Sequence, residues 1–134
     1  MTFRSAARLF AAFALAGLAA CGTQREDLST KAVMPLHPGE TPELRALIDQ
    51  YADLYDVPCP LVHKVIQRES DYRPHARNGP YWGMMQILPA TARGMGFQGR
   101  PADLLDAETN LNYAVKYLRG AWMVSDGDMD EAVM

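Results

Sequence analysis

Prolines fix where the helices of this chain can begin. Pro42, the pair Pro58 and Pro60, and Pro89 each stand at the head of a stretch that reads as helix. Proline lacks an N–H and holds φ near −65°, so it suits a first helical turn and is excluded from a helix interior. Behind Thr41-Pro42, Leu44, Leu47, Ile48, Tyr51 and Leu54 recur at helical spacing, which predicts a helix over 42–55 with Thr41 as its cap. Asp56 to Pro60 breaks that pattern. A second helix follows, with Leu61, Val62, Val65 and Ile66 apolar and His63, Lys64, Gln67 and Arg68 polar. Residues 71–83 hold Pro74, Pro80, Gly79, Gly83 and Asn78 and read as loop. A short helix is expected from Pro89 to Gly94 or Gly96. A long one is expected from Asp106 or Ala107 to about Val124, Asp106 being the natural cap, with Leu111, Ala114, Val115, Leu118 and Trp122 on its core side. No segment requires a β-sheet, so the fold class is all-α.

The N-terminal segment is of another kind. Arg4 and Arg8 precede an apolar run from Leu9 to Ala20 that is too short to span a bilayer and reads as a secretory signal over residues 1–20. Leu18-Ala19-Ala20-Cys21 resembles the lipobox of bacterial lipoproteins; an ordinary signal with an incidental cysteine is the alternative. The resemblance implies lipidation at Cys21, and Gly22 in place of aspartate implies a periplasm-facing anchor in the outer membrane. Residues 21–40 mix polar, charged and proline positions without periodicity and read as a flexible tether, leaving 41–134 for one domain. A lipidated Cys21 leaves Cys59 alone, so no disulfide is expected, and Cys59 reads as a small apolar filler rather than a reactive thiol. Thirteen basic side chains, two of them in the signal, face sixteen acidic ones, which argues against non-specific binding to nucleic acid or anionic lipid.

Glu69 stands seven residues after Val62, four after Val65 and three after Ile66, so it extends the apolar stripe of the second helix while Lys64 and Arg68 point elsewhere. A carboxyl against apolar walls, at the negative end of a helix dipole, resists ionisation, which is what a general acid requires. Position alone fits a helix-end glutamate paired with Arg68 or Arg73 equally well. His37, His63 and His75 have no metal-ligand spacing, and neither a metal nor another cofactor is expected. Asp126, Asp128 and Asp130 alternate like the start of a calcium loop, but Glu131 sits where such a loop needs glycine. An acidic turn between helices accounts for them better.

The wording around Glu69 resembles a family. Glu69-Ser70, then Gly83-Met84-Met85-Gln86-Ile87, then Pro89-Ala90-Thr91-Ala92, with Asp106 to Leu111 and Tyr117-Leu118 further on, is similar to the catalytic domain of SLT-type lytic transglycosylases. The resemblance implies a lysozyme-like helical fold, of the goose-type lysozyme and soluble transglycosylase kind, and cleavage of peptidoglycan glycan strands. It implies Glu69 as the single acid/base, forming 1,6-anhydro-muramyl ends without water. It also places Ser70 and Gln86 in polar contact with substrate, Met85 in the wall, and Asn110 and Tyr117 in support of the cleft; a helix C-terminal serine bonded to backbone is the alternative for Ser70, and a structural role the alternative for Asn110 and Tyr117. Tyr81 and Trp82 replace the small residues usual before Gly83; the pair reads as a stacking wall for sugar or as hydrophobic packing. Family members continue beyond the region matching Asp130 to Met134 into a helix whose tyrosine reaches the glutamate, so the resemblance implies a domain incomplete at its C-terminus; Tyr113 and Tyr117 are not evident substitutes. A hydrolytic muramidase and a non-catalytic peptidoglycan-binding lipoprotein are the competing readings.

Overall fold

The computed structural model describes residues 35–133. The signal, Cys21 and the first part of the tether lie outside the described residues.

Helix α1 (Pro42–Leu54) opens as its sequence dictates, with Thr41 Oγ1 accepting the Leu44 N–H at 3.2 Å. Helix α2 (Cys59–Glu69) turns Leu61, Val62, Val65 and Ile66 inward. Helix α3 (Pro89–Gly94) is a single short piece, and a 3₁₀ turn (Pro101–Leu105) leads into α4 (Ala107–Val124). Asp106 caps α4, its Oδ1 accepting the Thr109 N–H at 2.8 Å. Asp128 does the same for α5 (Met129–Val133), accepting from the backbone of Asp130 and Glu131. Two of the aspartates of that turn therefore serve as cap and ion-pair partner, Asp128 capping α5 and Asp130 meeting Lys64.

Helix α4 is the centre of the packing: it contacts α1, α3, α5 and the 3₁₀ turn, while α1 also rests on α2. Ile48, Leu61, Ile66, Met84, Leu104 and Leu111 are fully buried between these elements. Each contributes about 1.5–3 kcal/mol by leaving water. Trp122 departs from its expected core position; it is half-buried and packs on the edge of the core. Among the described residues, no helix is long and apolar enough to cross a membrane.

The expected loop at 71–83 contains a small antiparallel ladder. Strand β1 (Arg77–Asn78) pairs with β2 (Tyr81–Trp82), Arg77 opposite Trp82 and Asn78 opposite Tyr81. Two-residue strands carry no period to read. What holds this ladder is lateral: the Arg77 guanidinium lies 3.3 Å from the centroid of the Trp82 ring, and Trp82 also bridges to Ile87.

The described end of the expected tether is docked on the domain. Glu40 is buried, with Oε1 accepting from Arg45 Nε and Oε2 from Arg45 Nη2, both at 2.5 Å, and Oε2 also accepting the His37 N–H at 3.1 Å. The His37 ring stacks on Tyr72, with centroids 4.7 Å apart. Burial alone would raise the Glu40 carboxyl above its ordinary value; the bonds from Arg45 and His37 outweigh it and hold the group below. Cys59 is likewise more polar in its contacts than expected, its thiol donating to Asp49 Oδ1 at 2.9 Å. Glu40→Ala removes a buried charge from its partner and is expected to destabilise the fold by about 2–3 kcal/mol, since Arg45 retains a route to solvent. A shift in urea midpoint at constant slope is the measurement.

Candidate active site

The site is built around the turn between Trp82 and Ile87. Their backbones exchange N–H···O bonds at 3.0 and 3.1 Å, so Gly83, Met84, Met85 and Gln86 form a closed four-residue turn. Gly83 has φ +76°, and a Cβ there would lie 2.2 Å from Asn110 Nδ2 and 2.2 Å from the Leu104 carbonyl oxygen. Only glycine fits. Gln86 also has positive φ, at +49°, an unusual conformation for a residue with a side chain. Its own amide compensates: Nε2 donates to the carbonyls of Gly83 at 2.7 Å and Ala76 at 3.2 Å. Because both partners are acceptors, the amide orientation is fixed, and what Gln86 offers a ligand is its oxygen.

A cleft of about 610 Å³ opens over this turn. Glu69, Tyr81, Met85, Gln86 and Tyr117 all line it, from α2, β2, the turn and α4. Apolar walls come from Val65, Ile87, Leu88 and Leu118. Met85 is buried in that wall, whereas Tyr81 (42% exposed) and Tyr117 (55% exposed) stand open at the rim.

Glu69 is less enclosed than its helical stripe predicts. Its side chain is 29% exposed, and Arg68 does not point away but forms the ion pair that position alone allowed, donating to Glu69 Oε1 through Nε and Nη2, each at 3.0 Å. Glu69 ends α2, where the chain leaves helical geometry, and the long Arg68 side chain reaches back around it. Oε2 has no hydrogen-bond partner among the described residues and remains available to a ligand. Glu69 is also the only carboxylate among the described residues that line the cleft. The other acids are engaged elsewhere. Asp71 faces His37 at 3.4 Å, Asp103 binds Arg100, Asp106 caps α4, and Glu108 accepts from the Tyr51 hydroxyl at 3.1 Å.

Two residues that the motif associates with the site, Asn110 and Ser70, do not line the cleft. Asn110 is completely buried. Its Oδ1 accepts the Met85 N–H, and its Nδ2 donates to the carbonyls of Trp82 and Leu104, each bond 2.9 Å long. It positions the turn from behind, and its complete burial keeps it out of reach of a sugar. Ser70, 2% exposed, follows α2 and accepts the Arg73 N–H at 3.2 Å, closing the helix end. Trp82 is occupied by Arg77, which leaves Tyr81 alone of the aromatic pair in the cleft. Sequence reasoning missed Arg68 and Asn78 as lining residues. Adjacency to Glu69 was the signal for the first; the second depends on the hairpin and had none.

The family model of the transglycosylase SLT domain matches residues 46–134, about two thirds of the chain. The chain belongs to the transglycosylase SLT family. Membership carries the lysozyme-like fold, consistent with the helical architecture seen here, and in general the lytic transglycosylase activity on peptidoglycan. In this SLT domain the turn that carries Gln86 is fixed by contacts no substrate is needed to make. Gly83→Ala therefore serves as its test. The added methyl meets a buried amide and a backbone carbonyl at an unfavourable φ, and a loss of about 3 kcal/mol in chemical denaturation is expected.

Proposed function

We propose that this SLT domain cleaves the β-1,4 bond between N-acetylmuramic acid and N-acetylglucosamine, with Glu69 as its only acid/base. The observation that carries the reading is that Glu69 is the single carboxylate among the described residues lining the cleft. Retaining and inverting glycosidases ordinarily place two carboxyl groups across the scissile bond, one of them serving as nucleophile or as base toward water. With one available, the substrate must supply the second function. Glu69 protonates the departing glycosidic oxygen, the C1–O bond breaks, and the carbonyl oxygen of the substrate's own acetamido group stabilises the positive charge at C1. Glu69, now a carboxylate, takes the proton of the C6 hydroxyl as that oxygen closes on C1. The acid is regenerated, no water is consumed, and the product ends in a 1,6-anhydro ring.

The rest of the cleft supports this assignment. Gln86, with its nitrogen committed to backbone, accepts an acetamido N–H through its oxygen. Tyr81 and Tyr117 offer exposed rings to sugar faces, and Met85 supplies apolar wall between them and the core. Delivery to the cell wall follows from the N-terminal segment: residues 1–20 as signal, Cys21 as the lipidated residue of an outer-membrane anchor, and the polar stretch before the docked Glu40 as tether.

The test is mass spectrometry of fragments released from purified peptidoglycan by the chain and by Glu69→Gln. Anhydro-muramyl ends are expected from the wild type, falling by a factor of about 10²–10⁴ in the variant. Reducing ends would instead assign a muramidase. Retention on peptidoglycan without release by a folded chain would assign a binding protein.

A further inference from the structure

Away from the cleft, α1 and α2 bring together three side chains of metal-ligand chemistry. Cys59 and His63 lie one turn apart on the same face of α2, and Asp49 on α1 faces them. A ligating atom of each residue (Cys59 Sγ, an Asp49 carboxylate oxygen, a ring nitrogen of His63) lies within 4.8 Å of the others, and Sγ is 2.9 Å from Asp49 Oδ1. We propose that Asp49, Cys59 and His63 form a binding site for a borderline-soft divalent cation of the Zn²⁺ class.

The donor set suits such an ion. One thiolate, one carboxylate and one neutral imidazole are the ligands zinc takes, and their two negative charges balance the cation. Tetrahedral coordination at ordinary bond lengths separates ligand atoms by about 3.3–3.7 Å, so the trio needs only small side-chain adjustments to close on an ion. The backbone is already set, because Pro58 and Pro60 flank Cys59 and fix the entrance of α2. The His63 ring is held as well. Its Nδ1 lies 2.8 Å from the Tyr72 hydroxyl and 3.9 Å from Glu40 Oε1, the kind of outer contact that orients a ligating imidazole. All three ligands are half-buried, which leaves an approach from solvent. Binding displaces the thiol proton that now points at Asp49: the S–H bond is lost, a sulfur–metal bond forms, and one proton goes to solvent.

The site lies toward the opposite end of α2 from Glu69, Cys59 ten residues and about 15 Å along the helix and His63 six residues and about 9 Å. It is therefore a clamp between α1 and α2 and stands apart from the catalytic reading. A cysteine with a histidine four residues later on a helix is its sequence signal, which is lost when histidine spacings are read without the cysteine.

The experiment uses the full chain, reduced and stripped of metal, titrated with Co²⁺ and with Zn²⁺. One Co²⁺ per chain is expected to give the visible bands of a tetrahedral site with a thiolate-to-metal charge-transfer band, and Zn²⁺ is expected to bleach them and raise Tm by several degrees. Cys59→Ser should abolish the charge-transfer band, and Asp49→Asn and His63→Gln should each weaken binding at least tenfold, with far-ultraviolet circular dichroism verifying that each variant folds. If Cys59→Ser fails to fold, the other two variants carry the test. Absence of the band, its survival in Cys59→Ser through Cys21, or equal affinity in the wild type and the two other variants would overturn the proposal.

Discussion

Asn110 makes three hydrogen bonds from a side chain that water does not reach, and all three end on backbone of other segments. A buried amide left without partners costs about 1–3 kcal/mol for each group stranded, so α4, the 3₁₀ turn and the Trp82–Ile87 turn are tied together or destabilised together. Gly83 is the complement of that arrangement. The space a side chain would fill at Gly83 is the space in which the Asn110 amide sits. Gln86 then closes the turn from its other side by holding Gly83 and Ala76. The floor of the cleft is thus a polar lock inside an otherwise apolar core, and the placement of Met85 and the Gln86 oxygen follows from it.

Helices were legible in the sequence because their signals are local. Thr41 caps α1, Asp106 caps α4, and proline opens α1, α2 and α3 at the expected positions. The apolar stripes of α1, α2 and α4 bury most of the residues their spacing assigns; the exceptions are Leu54, which is exposed where α1 ends, and Leu47 and Trp122, which are only half-buried. Contacts between individual side chains outside the helical stripes were not legible, whether five residues apart or thirty-five. The β1–β2 ladder rests on Arg77 stacking on Trp82, and the docking of residues 35–40 rests on Glu40 meeting Arg45 and on His37 stacking against Tyr72. Neither leaves a periodic trace. The same distinction runs through the site. The motif brings Glu69, Tyr81, Met85, Gln86 and Tyr117 to one cleft, but a motif does not say which of its polar residues face inward. Ser70 and Asn110 turned out to hold backbone because they lie where helix end and turn leave backbone groups in need of partners.

The Glu69–Arg68 pair bears on how the acid is made. Neighbouring positions on a helix do not face one another, so their contact relies on Glu69 being the last residue of α2 and on the reach of the arginine. Arg68 is more than half exposed, and pairs of that kind contribute about 0–1 kcal/mol. A glycan strand entering the cleft therefore meets little resistance in separating them. Once sugar rings cover the opening, water leaves, and the surroundings of Glu69 become Val65, Ile87, Leu118 and the substrate itself. On the proposed mechanism the apolar enclosure that a general acid needs is then completed by binding, whereas the fold supplies only its inner half. On that mechanism the division also accounts for the place of Glu69 at a helix end, with one oxygen unclaimed among the described residues, instead of deep in the core: a carboxyl that is to give a proton to one sugar oxygen and take one from another has to stay within reach of both.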